Sequence, residues 1–342
     1  LSGIAMLSCK NLWKIYGPAK AHSIDPELPL SENISSVEQR GGFVALAGVD
    51  LSVAKGEILV IMGLSGSGKS TLLRCLTRLV EPSEGALCFE GQDLRAVPEK
   101  SLQLLRRTHM SMVFQNFALL PHRTVVGNVE LPLEIQGVRA AARKQKALDM
   151  IGLVGLSGKE DHYPYELSGG QQQRVGIARS LSTNPSLWLL DEPFSALDPL
   201  IREEMQDEIL RLQKTLSKTA VFVTHDFNEA ARVGDRIALL RKGQLVQTGS
   251  AAELILNPAD SYVRAFTASA ERSRILTAEN FMQHGEPGAF DVQLEAEVTL
   301  RKVAETFQGG ASVIAFGNST GRTVGYMRRQ DLGDALTSAM TA

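Results

Sequence analysis

The chain has 342 residues, 36 Lys+Arg against 38 Asp+Glu and a formal net charge of −2, enough length for two domains and a sizeable core. The balanced charge gives no basic surplus of the kind that marks nucleic acid as a main partner. Cys9, Cys75 and Cys88 have no metal spacing and read as small core thiols in a reducing cytosol, and no apolar run reaches the roughly 20 residues of a spanning helix, so any membrane role must come through a separate chain.

Leu7–Tyr16 reads as a first strand that turns at Gly17-Pro18. An aromatic face can stack on a purine, and Tyr16 is placed to be that platform, with Phe43, nearer the glycine loop in sequence, as its rival. Residues 17–42 contain Pro18, Pro26, Pro29, several serines and Gly41-Gly42; they predict a polar insertion, partly helical at best. Val44–Val53 alternates as an antiparallel strand does.

The apolar run Ile58–Met62 predicts a buried parallel strand. It leads into Gly63-Leu64-Ser65-Gly66-Ser67-Gly68-Lys69-Ser70-Thr71 and a helical pattern through Leu76. Strand, Gly-x4-Gly-Lys-Ser and helix in that order form a phosphate cradle. Its glycines turn N–H groups towards an anion, and the helix start adds its positive end. Lys69 is expected on the β- and γ-phosphates and Ser70 on Mg²⁺.

Ala86–Glu90 and Gly91-Gln92-Asp93 read as a short hairpin. Met110–Phe114 is a further strand, and Gln115 at its end can offer an amide oxygen to Mg²⁺ or to an attacking water. Residues from about 116 to 180 change to helical patterns, expected to break at Pro121, Pro132 and Gly137, with a strong amphipathic helix over Arg139–Ile151. In Leu167-Ser168-Gly169-Gly170-Gln171, a helix begins behind Ser168 and its N–H groups form a second anion-binding start. Pro185–Leu190 is again a buried run. It ends in Asp191, placed to hold Mg²⁺, and Glu192, placed to polarise a water for in-line attack. Ser195-Ala196-Leu197-Asp198 is a loop able to cross to a neighbour. Ala220–Thr224 predicts another strand with His225 at its edge, where an imidazole can meet the γ-phosphate and orient Glu192.

Taken together, Gly63–Ser70, Gln115, Leu167–Gln171, Leu187–Glu192, Ser195–Asp198 and His225 resemble the ATP-binding subunit of an ABC transporter over residues 7–270. The phrases Ile61–Lys69, Phe194–Arg202 and Glu204–Glu208 narrow the likeness to the quaternary-amine uptake class for glycine betaine, proline betaine or choline. The resemblance implies a P-loop α/β core with an antiparallel β subdomain and a helical subdomain near 116–180. It implies Mg-ATP hydrolysis in a head-to-tail dimer, with Ser168, Gly169, Gly170 and Gln171 of one copy closing on ATP held by the other and Asp198 at the seam. The implied partners are integral-membrane permease subunits, whose coupling helix the helical subdomain receives, and a periplasmic or extracellular substrate-binding protein. The implied location is the cytoplasmic face of the membrane. The rival class, a soluble ABC ATPase acting on nucleic acid or ribosomes, normally carries tandem cassettes or coiled-coil insertions, and this chain has one phosphate loop and no heptad run.

Residues 271–290 read as a linker. Residues 291–342 follow a strand, helix, strand, strand, helix order that resembles a single cystathionine-β-synthase (CBS) unit, a small α+β module usually found in pairs. In this class the module is associated with sensing ionic strength or nucleotide, and Arg322, Arg328 and Arg329 there could meet an anionic surface.

Overall fold

The computed structural model describes residues 5–285, 287–318 and 320–341, with side chains as far as residue 335. It divides into two compact units between Val246 and Gln247.

The first unit is built on two sheets. β1 (Leu7–Tyr16), β2 (Phe43–Val53), β4 (Glu84–Phe89) and β5 (Gln92–Asp93) form an antiparallel sheet in the order β2-β1-β4-β5. β3 (Ile58–Met62), β7 (Leu187–Asp191) and β8 (Thr219–Thr224) are buried at every position, the pattern of parallel strands covered on both faces. With β6 (Met110–Val113), β9 (Arg236–Arg241) and β10 (Gln244–Gly249) they make a six-stranded sheet, β10-β9-β3-β8-β7-β6. Pairing is parallel from β9 through β6. α2 (Lys69–Leu76) touches strands of both sheets, and its Leu72, Leu73 and Leu76 share one core with Leu12, Leu46, Leu59 and Ile61. The helix behind the glycine loop is therefore clamped on two sides.

The insertion is more ordered than its composition suggests. A single 3-10 turn, Ala19–Ala21, is followed by α1 (Leu30–Gln39), which starts behind Pro29. Asn33 is buried; its Nδ2 donates to the Asp25 and Leu28 carbonyls at 2.8 and 3.1 Å, and its Oδ1 accepts from Asp25 N–H at 2.9 Å. Val37, one turn on, joins Ala21, Trp13, Ile15 and Ala47 in a second core cluster. The serines that masked this helix, Ser31 and Ser35, lie on its exposed side. Tyr16 pairs with Phe43, so the insertion leaves and rejoins the sheet at one point.

α3 (Glu99–His109), which the sequence pattern did not reveal, buries only Leu102. α4 (Val125–Ile135), α5 (Ala140–Leu153) and α6 (Gly169–Leu181) pack on one another as the expected helical part. Pro132 does not break a helix; it lies inside α4. It removes the N–H that would bond the Asn128 carbonyl, yet the helix runs on for three more residues to Ile135. Gly137, at φ 77, is the residue that turns the chain away. α7 (Pro199–Leu216) and α8 (Phe227–Val233) follow β7 and β8.

The second unit opens with α9 (Ala251–Leu256), α10 (Ser261–Thr267) and α11 (Arg272–Ile275). Its sheet, β11 (Gln283–His284), β14 (Thr323–Arg328), β13 (Val313–Gly317) and β12 (Val292–Glu295), has that spatial order. α12 (Leu300–Gln308) connects the parallel β12 and β13, and α13 (Arg329–Thr341) closes the unit, giving the expected strand, helix, strand, strand, helix order. The stretch read as a linker is built into this unit instead. β11 pairs with β14, and Leu276, Ala278 and Met282 are buried, which supplies the apolar anchor a free linker lacks. Among the described residues no helix is long and apolar enough to cross a membrane.

Candidate functional site

Four neighbouring strands deliver the site. In the order β3-β8-β7-β6, their C-terminal ends carry the glycine loop, His225, Asp191-Glu192 and Gln115 respectively. The register aligns Met62 with Thr224, Val223 with Asp191, and Leu190 with Val113. Residues distant in sequence thus meet at one sheet edge, the place where open α/β folds bind ligands.

The loop depends on glycine where nothing else fits. At Gly63, φ is 153° and a Cβ would run into the Leu240 carbonyl and Ser67 Oγ. At Gly68, φ is 104° and a Cβ would lie 2.8 Å from the Ala45 carbonyl. The turn between β9 and β10 braces the loop from outside, with Gly243 N–H donating to the Ser67 carbonyl at 2.9 Å. Lys69 Nζ curls back onto the loop, donating to the Gly63 and Leu64 carbonyls at 2.8 and 3.2 Å. Burial lowers its pKa, and the carboxylates of Glu192 and Asp191 work against that shift.

Glu192 is the hub. Its carboxylate is 3.8 Å from Lys69 Nζ and 3.6 Å from His225 Nδ1, and it accepts from Gln115 Nε2 at 3.4 Å. Its backbone sits at φ 44°, in the left-handed region that non-glycine residues seldom occupy, and its N–H donates to the Val223 carbonyl at 3.0 Å. Such a backbone is held where the position of one side chain matters. Asp191 is buried, and burial pushes its carboxyl pKa up, opposed by the Ser70 hydroxyl that donates to its Oδ1 at 3.2 Å. Hydroxyl and carboxylate oxygens side by side are the donor set of a hard divalent cation that shares its shell with phosphate. Among the described residues no group of three or more His, Cys, Asp and Glu converges, so a dedicated all-protein metal cage is not present there.

The loop, Glu192 and His225 line one cleft of about 980 Å³. Leu64, Ser65, Gly66, Ser67, Gly68, Lys69, Ser70 and Thr71 all face it. Phe43 lines it and is 64 % exposed. Tyr16 does not line it, and Lys14 Nζ lies 4.7 Å from its ring centroid. Contributions that went unseen in the sequence include Ile34 and Glu38 of α1, Val44 and Ala45 of β2, and the Lys242–Gln244 turn. Helical spacing i, i+4 was available for the first pair, but the proline-rich surroundings hid it.

Ser168, Gly169, Gly170 and Gln171 are not among the residues lining this cleft. They open α6 as a capping box: Ser168 Oγ accepts from Gln171 N–H at 3.4 Å, and Gln171 Oε1 accepts from Ser168 N–H at 3.1 Å. Asp198 caps α7, accepting from Ile201 N–H at 3.1 Å. Within one chain, therefore, the start of α6 does not line the cleft of the glycine loop.

Residues 46–195 match the family model described as ABC transporter. A trimethylamine N-oxide transport system ATP-binding protein of Pelagibacter ubique is 46 % identical over 321 residues, which are 94 % of each chain. One of the same description from Ruegeria pomeroyi is 45 % identical, covering 98 % of each. A glycine betaine transport ATP-binding protein of Bacillus subtilis is 49 % identical over 77 % of this chain and 63 % of its own. Among solved structures, a dimeric bacterial ABC transporter cassette superposes with a TM-score of 0.60 at 35 % identity, covering 72 % of this chain and 99 % of that one.

Proposed function

The chain belongs to the ABC transporter family as one of its ATP-hydrolysing cassettes, and from that premise we propose that it energises import of a small methylated amine through a separate permease. The observation that carries the catalytic half is Glu192 within 4 Å of the Lys69 ammonium, His225 and Gln115. In this reading Glu192 polarises the water that attacks the γ-phosphate, His225 holds Glu192 and water in line, and Lys69 with the loop N–H groups stabilises charge on the β/γ-oxygens. Ser70, Asp191 and Gln115 would hold Mg²⁺, which neutralises phosphate charge when bound. Phe43 lies in the cleft and Tyr16 does not, which supports Phe43 as the aromatic that would stack on adenine.

Two copies are needed. Ser168–Gln171 do not line the cleft of their own chain, and the structural relative is a dimer; a head-to-tail pair of this chain would let them close on the other copy's ATP. A groove of about 340 Å³ between β6 and α4, lined by Met112, Phe114, Leu131 and Ile135, supports docking of a permease segment at the cytoplasmic membrane face. Phe114 beside it directly precedes Gln115, which gives the groove a short route to the site.

The relatives that match nearly the whole chain are named for trimethylamine N-oxide, whereas those named for glycine betaine match a smaller part of it. We therefore place trimethylamine N-oxide first, with glycine betaine and choline, which share its trimethylated nitrogen, behind it; a substrate-binding protein outside the membrane completes the complex. ATP-dependent uptake of the three labelled compounds, in cells with and without this chain, tests the assignment. Uptake of trimethylamine N-oxide that needs the chain supports it, and uptake unaffected by its removal contradicts it. The C-terminal unit is proposed as a regulatory module of the CBS type.

A further inference from the structure

We infer that the insertion helix α1 walls the nucleoside end of the cleft and that Glu38 accepts a hydrogen bond from the bound nucleoside; this rests on the ATPase reading above. Ile34 and Glu38 line the same cleft as the phosphate loop and Phe43. Four residues apart on one helix, they lie on a single face.

Strand β2 serves as a ruler along the cleft. Ala45 lies beside the loop, its carbonyl 2.8 Å from where Gly68 would carry a Cβ. Phe43 is two residues further along β2, about 7 Å away, and lines the same cleft. A triphosphate held on the loop therefore carries its sugar and base towards Phe43 and α1. There Phe43 offers an aromatic face, and Ile34, half-buried against the Trp13–Ile15 cluster, offers apolar surface opposite α1's polar side.

Glu38 is exposed, and an ionised carboxylate can only accept hydrogen bonds. Beside phosphate oxygens it would repel; beside a nucleoside it meets donors, namely ribose hydroxyls or the adenine amino group. The helix is positioned to do this rigidly. Asn33 ties it to the preceding loop through three hydrogen bonds, and the Tyr16–Phe43 pair fixes both ends of the insertion on the sheet. The insertion thus helps select the nucleotide, a role distinct from the phosphate grip.

The test is equilibrium binding to the 342-residue Glu192→Gln protein, with and without Glu38→Ala. The ligands are ATP, 2′,3′-dideoxy-ATP, purine riboside triphosphate and inorganic tripolyphosphate. Glu38→Ala is expected to weaken ATP about tenfold and to leave tripolyphosphate unchanged. Glu38→Gln, which keeps an acceptor oxygen, is expected to recover most of the loss. The analogue lacking the donor that Glu38 meets should bind the parent about tenfold more weakly than ATP and lose nothing further in Glu38→Ala. The dideoxy compound reports the ribose and the purine riboside reports the amino group. Equal ATP affinity with and without Glu38, or equal losses for ATP and tripolyphosphate, overturns the inference. A parent protein that binds neither ATP nor tripolyphosphate would instead strike the ATPase reading.

Discussion

Arg179 of α6 holds the Phe117 carbonyl: its Nη2 donates to that oxygen at 2.9 Å, and its Nη1 donates to the Ala118 carbonyl at 2.7 Å. Phe117 and Ala118 have φ values of 55° and 49°, two consecutive non-glycine residues in the left-handed region. They lie just after Gln115, while α6 opens at Ser168–Gln171. One guanidinium therefore ties the strained loop after Gln115 to the helix that opens at Ser168–Gln171.

Arg179→Ala removes two charge-assisted bonds that hold strained backbone. We expect a stability loss of about 2–3 kcal/mol and a fall in maximal ATPase rate larger than any loss of ATP affinity. Denaturant unfolding and steady-state kinetics check this together. Unchanged turnover in a folded variant would show that the tie does not place Gln115.

Glu192→Gln keeps the shape of the hub and removes the carboxylate proposed as the base. Turnover is expected to fall at least about 100-fold with ATP binding retained. Phosphate release and equilibrium nucleotide binding measure the two halves. Hydrolysis at the parent rate would assign the base elsewhere.

Most of this site was legible in the residues themselves. The loop Gly63–Ser70 and the strand ends at Asp191 and His225 each carry a local signature, an apolar run followed by a polar residue; Gln115 has none of its own and stood out only together with the other motifs. Contributions made by packing left no such mark. Glu38 reaches the cleft only because α1 packs through Val37 and Ile34 on the Trp13, Ile15 and Ala47 cluster, and the proline- and serine-rich composition of 17–42 pointed to loop. The register that puts Phe43 in the cleft and leaves Tyr16 out of it is likewise a property of the paired strands. Pro132 misled in the opposite sense, because α4 forgoes its bond to the Asn128 carbonyl and still continues to Ile135.

Gly68→Ala must accept φ 104° and a methyl 2.8 Å from the Ala45 carbonyl. Strain of about 1–3 kcal/mol would be relieved by moving the loop away from the brace. ATP affinity is expected to drop at least about tenfold. Titration with ATP checks it, and parental affinity would mean that the loop tolerates a side chain at its last turn.

Glu229 is buried between Thr224, whose hydroxyl donates to its Oε2, and Gln206, whose Nε2 donates to its Oε1 at 3.5 Å. Burial raises its carboxyl pKa above the ordinary value. A raised folded-state pKa means that the fold prefers the protonated form. That contribution is whole below the unfolded pKa and is lost as pH rises through the folded one. Glu229→Gln removes the titration, so its stability relative to the parent should grow from about pH 4 towards neutrality. Denaturation midpoints across that range decide it; a difference independent of pH would contradict the assignment.

The central claim is a nucleotide shared between two copies, because the helix start at Ser168 stands away from its own chain's cleft. Sedimentation of the Glu192→Gln protein with saturating ATP tests it most directly. The account predicts a two-chain species holding two ATP, which a Ser168→Arg exchange dissolves while each chain still binds nucleotide. A monomer saturated with ATP at every protein concentration would contradict it.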